Sequence, residues 1–302
     1  MSPGIARGWL QGRALPDGLL ARLEPASGDA QSLRERLATD GYLYLPGLLP
    51  RESVAAARAE VFAALRATGE IDGPDHAPVA TGTSRRAELY PDLGAFWREV
   101  CEGPALRACV HHLALHALTS RLFDAPSTPF DFVWLRAVTQ GRASPFHFDH
   151  PYMNRGAPDL LTCWTPLGDV ALADGPIVLV EGSHRFDDLA ARVRGRDVDR
   201  EPGFSGSFTE DMIDLAQSRH TRFLSADFTA GDVLVFGMFL LHGSLDNRSR
   251  GGKVRLSADV RFQPAAGARD DRWFGTPPPA HGGRSYGGLN GAQPLTAKPL
   301  AR

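Results

Sequence analysis

The spacing of hydrophobic positions changes about a third of the way along this chain. Gly41-Tyr-Leu-Tyr-Leu-Pro46 alternates as a short strand, with Leu43 and Leu45 on one face. Pro50 then opens a helix in which Val54, Ala57, Val61 and Leu65 fall three and four apart, and Gly69 is its stop signal. Residues 92–118 read as helix in two pieces, broken near Gly103-Pro104. From Phe130-Asp-Phe-Val-Trp-Leu-Arg-Ala-Val138 onward the segments are short, aromatic and β-branched, as strands require. Further strands are predicted at 145–149, 160–167, 176–180, 223–228, 232–236, 238–242 and 254–262, with Gly or Pro in most of the gaps. Many short strands after a helical segment predict a mainly β fold with supporting α: a cupin-like jelly roll with the N-terminal helices packed on one sheet.

Two stretches lack such periodicity. Residues 185–222 form a long polar connection with seven Arg against eight Asp or Glu, which predicts a lid or disorder. From 264 to 302 Pro and Gly dominate, and Trp273, Phe274 and Tyr286 are the side chains able to anchor that segment. We expect one domain over 1–302: a helical part to about 128, a jelly-roll core at about 129–263, and the Pro/Gly-rich segment after it.

Composition narrows the function classes. A 43% hydrophobic content in 302 residues supports a large core, and a formal charge of −2 gives no global attraction to nucleic acid or membrane. The basic residues are Arg apart from Lys253 and Lys298, and they are interspersed with acids rather than gathered in a stripe. Cys101, Cys109 and Cys163 contain no C-x-x-C pair, and Met1 to Pro16 shows no apolar run before a cleavage site. A cytoplasmic enzyme of small molecules is the expectation.

The chemistry gathers in three places. In Ser144-Pro-Phe-His-Phe-Asp-His150, read as a strand, His147 and Asp149 share a face while Phe146, Phe148 and His150 take the other. An apolar run from Val233 ends at His242-Gly, where a buried strand would reach a site. Two imidazoles and one carboxylate on one side of an octahedral ion suit non-haem iron(II), with open positions for a 2-oxo acid and dioxygen. A dicarboxylate cosubstrate needs a cation at its far end. Arg255 is read as lying on the strand after His242, where an antiparallel neighbour would bring it beside the metal, with Ser257 on the same face.

These residues carry a resemblance. From Asp40 to about Gln263 the chain resembles the phytanoyl-CoA dioxygenase family, through His147-Phe-Asp149, Leu161-Thr-Cys-Trp-Thr-Pro-Leu-Gly-Asp169, Gly175-Pro-Ile-Val-Leu-Val-Glu-Gly-Ser-His184, Ala230-Gly-Asp-Val233, His242-Gly-Ser244, Asn247-Arg-Ser249 and Arg255-Leu-Ser257. The resemblance implies a double-stranded β-helix, iron(II) on His147, Asp149 and His242, and 2-oxoglutarate on Arg255. It also implies cosubstrate contacts from Ser244, Trp164 and, beside it, Thr162. The turn before Arg255 is slightly long for the family, which leaves Arg261 as an alternative for the carboxylate. The implied reaction hydroxylates or otherwise oxidises a small molecule with dioxygen and releases succinate and carbon dioxide. Asp149 argues for oxygen transfer, because halogenating relatives replace that carboxylate. A polar natural-product or catabolic intermediate is the expected substrate class.

Other residues are weighed against blander roles. Trp134 and Arg136 share a face of their strand, and Tyr152, Asn154 and Arg155 follow the metal motif; these are the substrate candidates. His112 and His116 stand four apart on an expected helix with His111 beside them, but lack the Glu of a zinc-protease pattern. His150 is assigned to the wrong face, His184 to a local hydrogen bond, and His220 and His281 to no role. A metal-binding jelly roll without redox chemistry, an isomerase or sugar-binding module, is the rival function; it has no use for Arg255 or Ser257.

Overall fold

The computed structural model describes residues 8–288 and 292–295. The outer ends of the expected helical part and of the Pro/Gly-rich segment, and 289–291 within the latter, lie outside the described residues. Two open six-stranded sheets dominate. In the first, the order is Tyr42–Leu45, Val233–Gly237, Leu161–Pro166 and Arg255–Pro264, with Ser127–Pro129 and Trp134–Val138 sharing the far side of that long strand. In the second, the order is Ser207–Phe208, Phe146–His147, His242–Ser244, Ile177–Val180, Phe223–Ser225 and Leu20–Arg22. The pairs are antiparallel except the last, Phe223–Ser225 with Leu20–Arg22.

Alternation divides each strand between layers. Tyr42, Tyr44, Leu234 and Phe236 meet Ile177, Leu179 and Leu224 between the sheets. Their neighbours Leu43, Leu45, Val233 and Val235 face the helices, and Val178 and Val180 face the 185–222 connection. The expected jelly roll with helices on one sheet is therefore the observed one.

The helix Arg51–Ala67 buries Val54, Ala57, Val61, Phe62 and Leu65, with Glu52 in its first turn and Arg66 in its last. The next helical region forms three pieces rather than two: Leu93–Cys101, Pro104–Val110 and Leu113–Phe123. Pro104 starts the second as expected. The unforeseen break falls at His112, whose Nδ1 accepts from the Ala114 N–H at 3.2 Å and caps the third piece. His112 and His116 are thus not a metal-binding pair, and the His116 ring stands edge-on to Phe262.

Three strands differ from expectation. The 130–138 strand is interrupted because the N–H groups of Asp131 and Phe132 donate to the Trp273 carbonyl instead of a ladder. The 238–242 strand is absent: a turn follows Gly237, and His242 opens the next strand instead of ending one. The 145–149 strand stops at His147. Asp149 has helical angles (φ −71°, ψ −26°) and leads into the 3-10 turn His150–Tyr152.

The 185–222 connection is ordered. It carries helices Asp187–Ala191 and Met212–Ser218, and its strand Ser207–Phe208 pairs directly with Phe146–His147. The C-terminal segment docks through its expected anchors: Trp273 stacks on Phe130, Tyr286 stacks on Phe132, and Phe274 meets Phe130 edge-on.

Candidate metal centre and adjoining cavity

Cross-strand pairing places His242 directly opposite His147. Gly243 permits the close approach, since a Cβ there would lie 2.9 Å from the Phe146 ring and 3.0 Å from the Ser144 carbonyl. The imidazole centroids are 4.3 Å apart. Asp149 arrives from the 3-10 turn rather than by strand alternation, and its Oδ1 lies 3.5 Å from His147 Nε2 and 3.9 Å from His242 Nε2. One ligand atom from each of the three lies within 4.8 Å of the others.

The donor set fits a divalent ion. Each histidine has Nδ1 2.9 Å from a backbone carbonyl, Pro145 for His147 and Leu240 for His242. A carbonyl only accepts, so each Nδ1 carries the proton and each Nε2 presents a lone pair to the shared centre. Burial, reinforced by His147, pushes His242 down to about 3 and keeps it neutral. Burial alone would raise the Asp149 carboxyl, but Arg261 and the two imidazoles hold it well below the usual range.

Metal-free protein should therefore be acid-sensitive. Burial and Arg107 likewise push His111 down to about 4. Between the ordinary 6.5 and about 4, the unfolded chain binds protons at His111 and His242 that the folded chain refuses, so stability falls as pH falls. Thermal unfolding of the apoprotein should show the melting temperature dropping across that window, and His111→Gln should flatten the drop. A flat profile in the unsubstituted protein would contradict the burial of both rings.

Beside the centre lies a recess bordered by His147, His242, Ser244, Trp164, Arg136 and Arg255. Arg255 reaches it by a different route from the one expected. Its strand is not the neighbour of His242–Ser244 but belongs to the opposing sheet, so the guanidinium faces the histidines across the sandwich. Arg255 is 2% exposed and donates to the Gly175 carbonyl at 3.1 Å and the Ser257 hydroxyl at 2.6 Å. It makes no ion pair among the described residues. Burial and the nearby Arg136 pull it down to about 9, still charged at neutral pH. A buried cation without a counterion favours an anion in that recess. Ser244 Oγ accepts from the Ser144 N–H at 2.7 Å.

The remaining candidates are placed as follows. Thr162 does not border the recess; its hydroxyl donates to Asp149 Oδ2 at 2.6 Å. Arg261, the alternative for the cosubstrate carboxylate, is taken up by Asp149 and Asp259. Trp134, Arg136 and Tyr152 line a larger cavity of about 210 Å³ that opens on His147 and Asp149. Arg136 pairs with Asp259 at 3.2 Å, and the Tyr152 hydroxyl donates to the Ser205 carbonyl. Asn154 turns away from the cavity to the Arg196 carbonyl, and Arg155 pairs with Asp197 at 2.6 Å. His150 stacks on Phe239, away from the centre as assigned. His184 lies against Gly41 and near Arg185.

Sequence reasoning missed His281 and Ser207. Both line the cavity, delivered by the C-terminal segment and the 185–222 connection. Nothing local marks His281; its Nδ1 is held by Asp199 at 3.0 Å, a partner 82 positions away. The run Arg255-Leu-Ser-Ala-Asp-Val-Arg261 did carry a usable signal, because its polar residues recur with period two and so share the interior face.

Comparison with known proteins identifies the family. Residues 37–255 match the phytanoyl-CoA dioxygenase (PhyH) family. The 1-deoxypentalenic acid 11-beta-hydroxylase of Streptomyces arenae is 26% identical over 261 residues, covering 81% of this chain and 85% of that protein. The enzyme of the same name from Streptomyces exfoliatus is 24% identical over 259 residues, with the same coverage. Among solved structures, the epimerase SnoN in complex with Fe3+, alpha ketoglutarate and nogalamycin RO shares the fold. Its TM-score is 0.52 at 23% identity, covering 82% of this chain and 86% of that one. EctD from S. alaskensis in its apoform also has a TM-score of 0.52, at 17% identity, covering 84% and 86%. No described helix is long and apolar enough to cross a membrane. The chain belongs to the phytanoyl-CoA dioxygenase family and is a non-haem iron, 2-oxoglutarate-dependent oxygenase.

Proposed function

We propose that this protein, acting as one catalytic domain in the cytoplasm, hydroxylates a small natural-product or catabolic intermediate and converts 2-oxoglutarate to succinate and carbon dioxide. The observation that carries this reading is the buried, unpaired Arg255 guanidinium facing the recess beside the three converging ligand atoms. The hydroxylase relatives support the reaction type. The rival non-redox jelly roll offers no reason to bury that charge.

In this reading His147 Nε2, Asp149 Oδ1 and His242 Nε2 hold iron(II). Arg255 with Ser257 would receive the remote carboxylate of 2-oxoglutarate, and Ser244 and Trp164 line the same recess. When bound, iron and 2-oxoglutarate supply the oxidising chemistry from dioxygen. The chain's own residues do the rest. The Pro145 and Leu240 carbonyls fix the imidazole tautomers. Ser207 of the strand Ser207–Phe208 and His281 of the C-terminal segment line the cavity. Trp134, Leu135, Val138 and Met153 offer an apolar bed, and Arg136, Tyr152 and His281 offer polar contacts that orient a substrate carrying oxygen functions. Orientation decides which substrate hydrogen faces the metal, and hence the position oxidised.

The test is a screen of candidate natural-product acids and alcohols for stimulated succinate release. Release should require iron(II) and 2-oxoglutarate and fall to background in His147→Ala. Failure of the iron-loaded protein to bind 2-oxoglutarate in an anaerobic titration would overturn the reading.

A further inference from the structure

The interior face of the strand Arg255–Pro264 carries an alternating charge ladder. Arg136 pairs with Asp259, Asp259 with Arg261, and Arg261 with Asp149. Cross-strand register aligns it, since Ser257 stands opposite Arg136 and Arg261 opposite Thr162. Arg261 is 1% exposed. Its Nη1 donates to Asp259 Oδ2 at 2.6 Å, its Nη2 lies 2.9 Å from both oxygens of Asp149, and its guanidinium carbon sits 4.1 Å from the Trp134 ring centroid. A fork gripped on three sides has no room to turn.

The two oxygens of Asp149 are consequently unequal. Each carboxylate oxygen has about two lone-pair sites. Oδ2 receives two donors, the Thr162 hydroxyl at 2.6 Å and Arg261. Oδ1 receives Arg261 alone and is the oxygen that faces both Nε2 atoms. The Arg261 Nη2 hydrogen is shared between the two oxygens, so Oδ1, on the metal side, has one donor fewer than Oδ2.

We propose that Arg261 and Thr162 are positioning residues that restrict Asp149 to a single metal-bound oxygen, keeping three coordination positions open on the ion instead of two. The proposal rests on the reading of His147, Asp149 and His242 as metal ligands. An octahedral ion held by two imidazoles and one carboxylate oxygen keeps three places, and a chelating carboxylate removes one of them. Removing either donor frees Oδ2 to bind.

The probe is Mn(II), and the readout is the water-proton relaxivity per bound ion, which scales with the number of coordinated waters. It is measured at saturating Mn(II) without 2-oxoglutarate. Thr162→Val and Arg261→Met should each lower it by about a third, as three waters become two. Thr162→Ser, which restores the hydroxyl, should return the unsubstituted value. If Arg261→Met fails to fold, Thr162→Val decides, because it removes one neutral hydroxyl and leaves the charges paired. Full relaxivity in folded Thr162→Val and Arg261→Met would overturn the proposal, even with weaker affinity, because Arg261 would then only screen charge. Absence of Mn(II) binding by the unsubstituted protein would instead overturn the metal site itself, and this proposal with it.

Discussion

Arg255→Met is expected to weaken 2-oxoglutarate binding by at least about 30-fold without lowering the melting temperature of the apoprotein. The two halves of the result come from one fact. In the folded apoprotein the guanidinium is buried, donates to the Gly175 carbonyl and the Ser257 hydroxyl, and makes no ion pair among the described residues. Folding takes that charge out of water with Asp259 and Asp174 nearby but no direct ion pair among the described residues, so an apolar side chain of similar length should cost little in stability. Binding reverses the balance. In the proposed binding mode the remote carboxylate of 2-oxoglutarate enters the recess beside Arg255, and truncating one partner of a buried, hydrogen-bonded charge pair costs about 2–5 kcal/mol, or at least about 30-fold in affinity. Anaerobic titration of the iron-loaded protein reads the affinity and thermal unfolding reads the stability. A lower melting temperature with unchanged affinity would make Arg255 a structural residue.

His242→Ala should abolish metal-dependent turnover. Losing a residue that merely supports a ligand typically costs 10–100-fold in metal affinity or activity, so losing a ligand should cost at least about 100-fold. The variant should still fold. His242 is neutral in the folded protein, so its removal strands no charge, and Asp149 keeps Arg261 and Thr162 as partners. Calorimetric titration with Mn(II) separates a lost site from a misfolded protein, provided the melting temperature is measured alongside. Retained tight binding would mean that His147 and Asp149 recruit another group, and the assignment of His242 would fall.

How far the sequence is legible depends on what kind of contact is being read. The strand Tyr42–Leu45 was readable because its two faces meet two different layers, Leu43 and Leu45 the helices, Tyr42 and Tyr44 the inter-sheet space. The break at His112 was not, because a histidine caps there in place of Ser, Asp or Asn. The convergence of residues 147, 149 and 242 is legible in the sequence, but strand alternation is not what brings Asp149 to that face. Asp149 sits in a turn, and its carboxylate, hydrogen-bonded by Arg261 and Thr162, reaches the histidines from there.

By itself the sequence determined the layer order of the fold, the chemistry of the candidate metal ligands and the presence of the cation proposed to take a dicarboxylate. Each of these is written in side-chain type and in periods of two or nearly four residues, which local geometry enforces. Only the tertiary structure decided that Arg255 faces the centre from the opposing sheet and that Arg261 belongs to Asp149. It alone decided that Asn154 turns away and that His281 joins the cavity from the C-terminal segment. Those contacts join groups far apart in sequence, and their strength comes from desolvation and charge pairing, which exist only once the layers have closed around them.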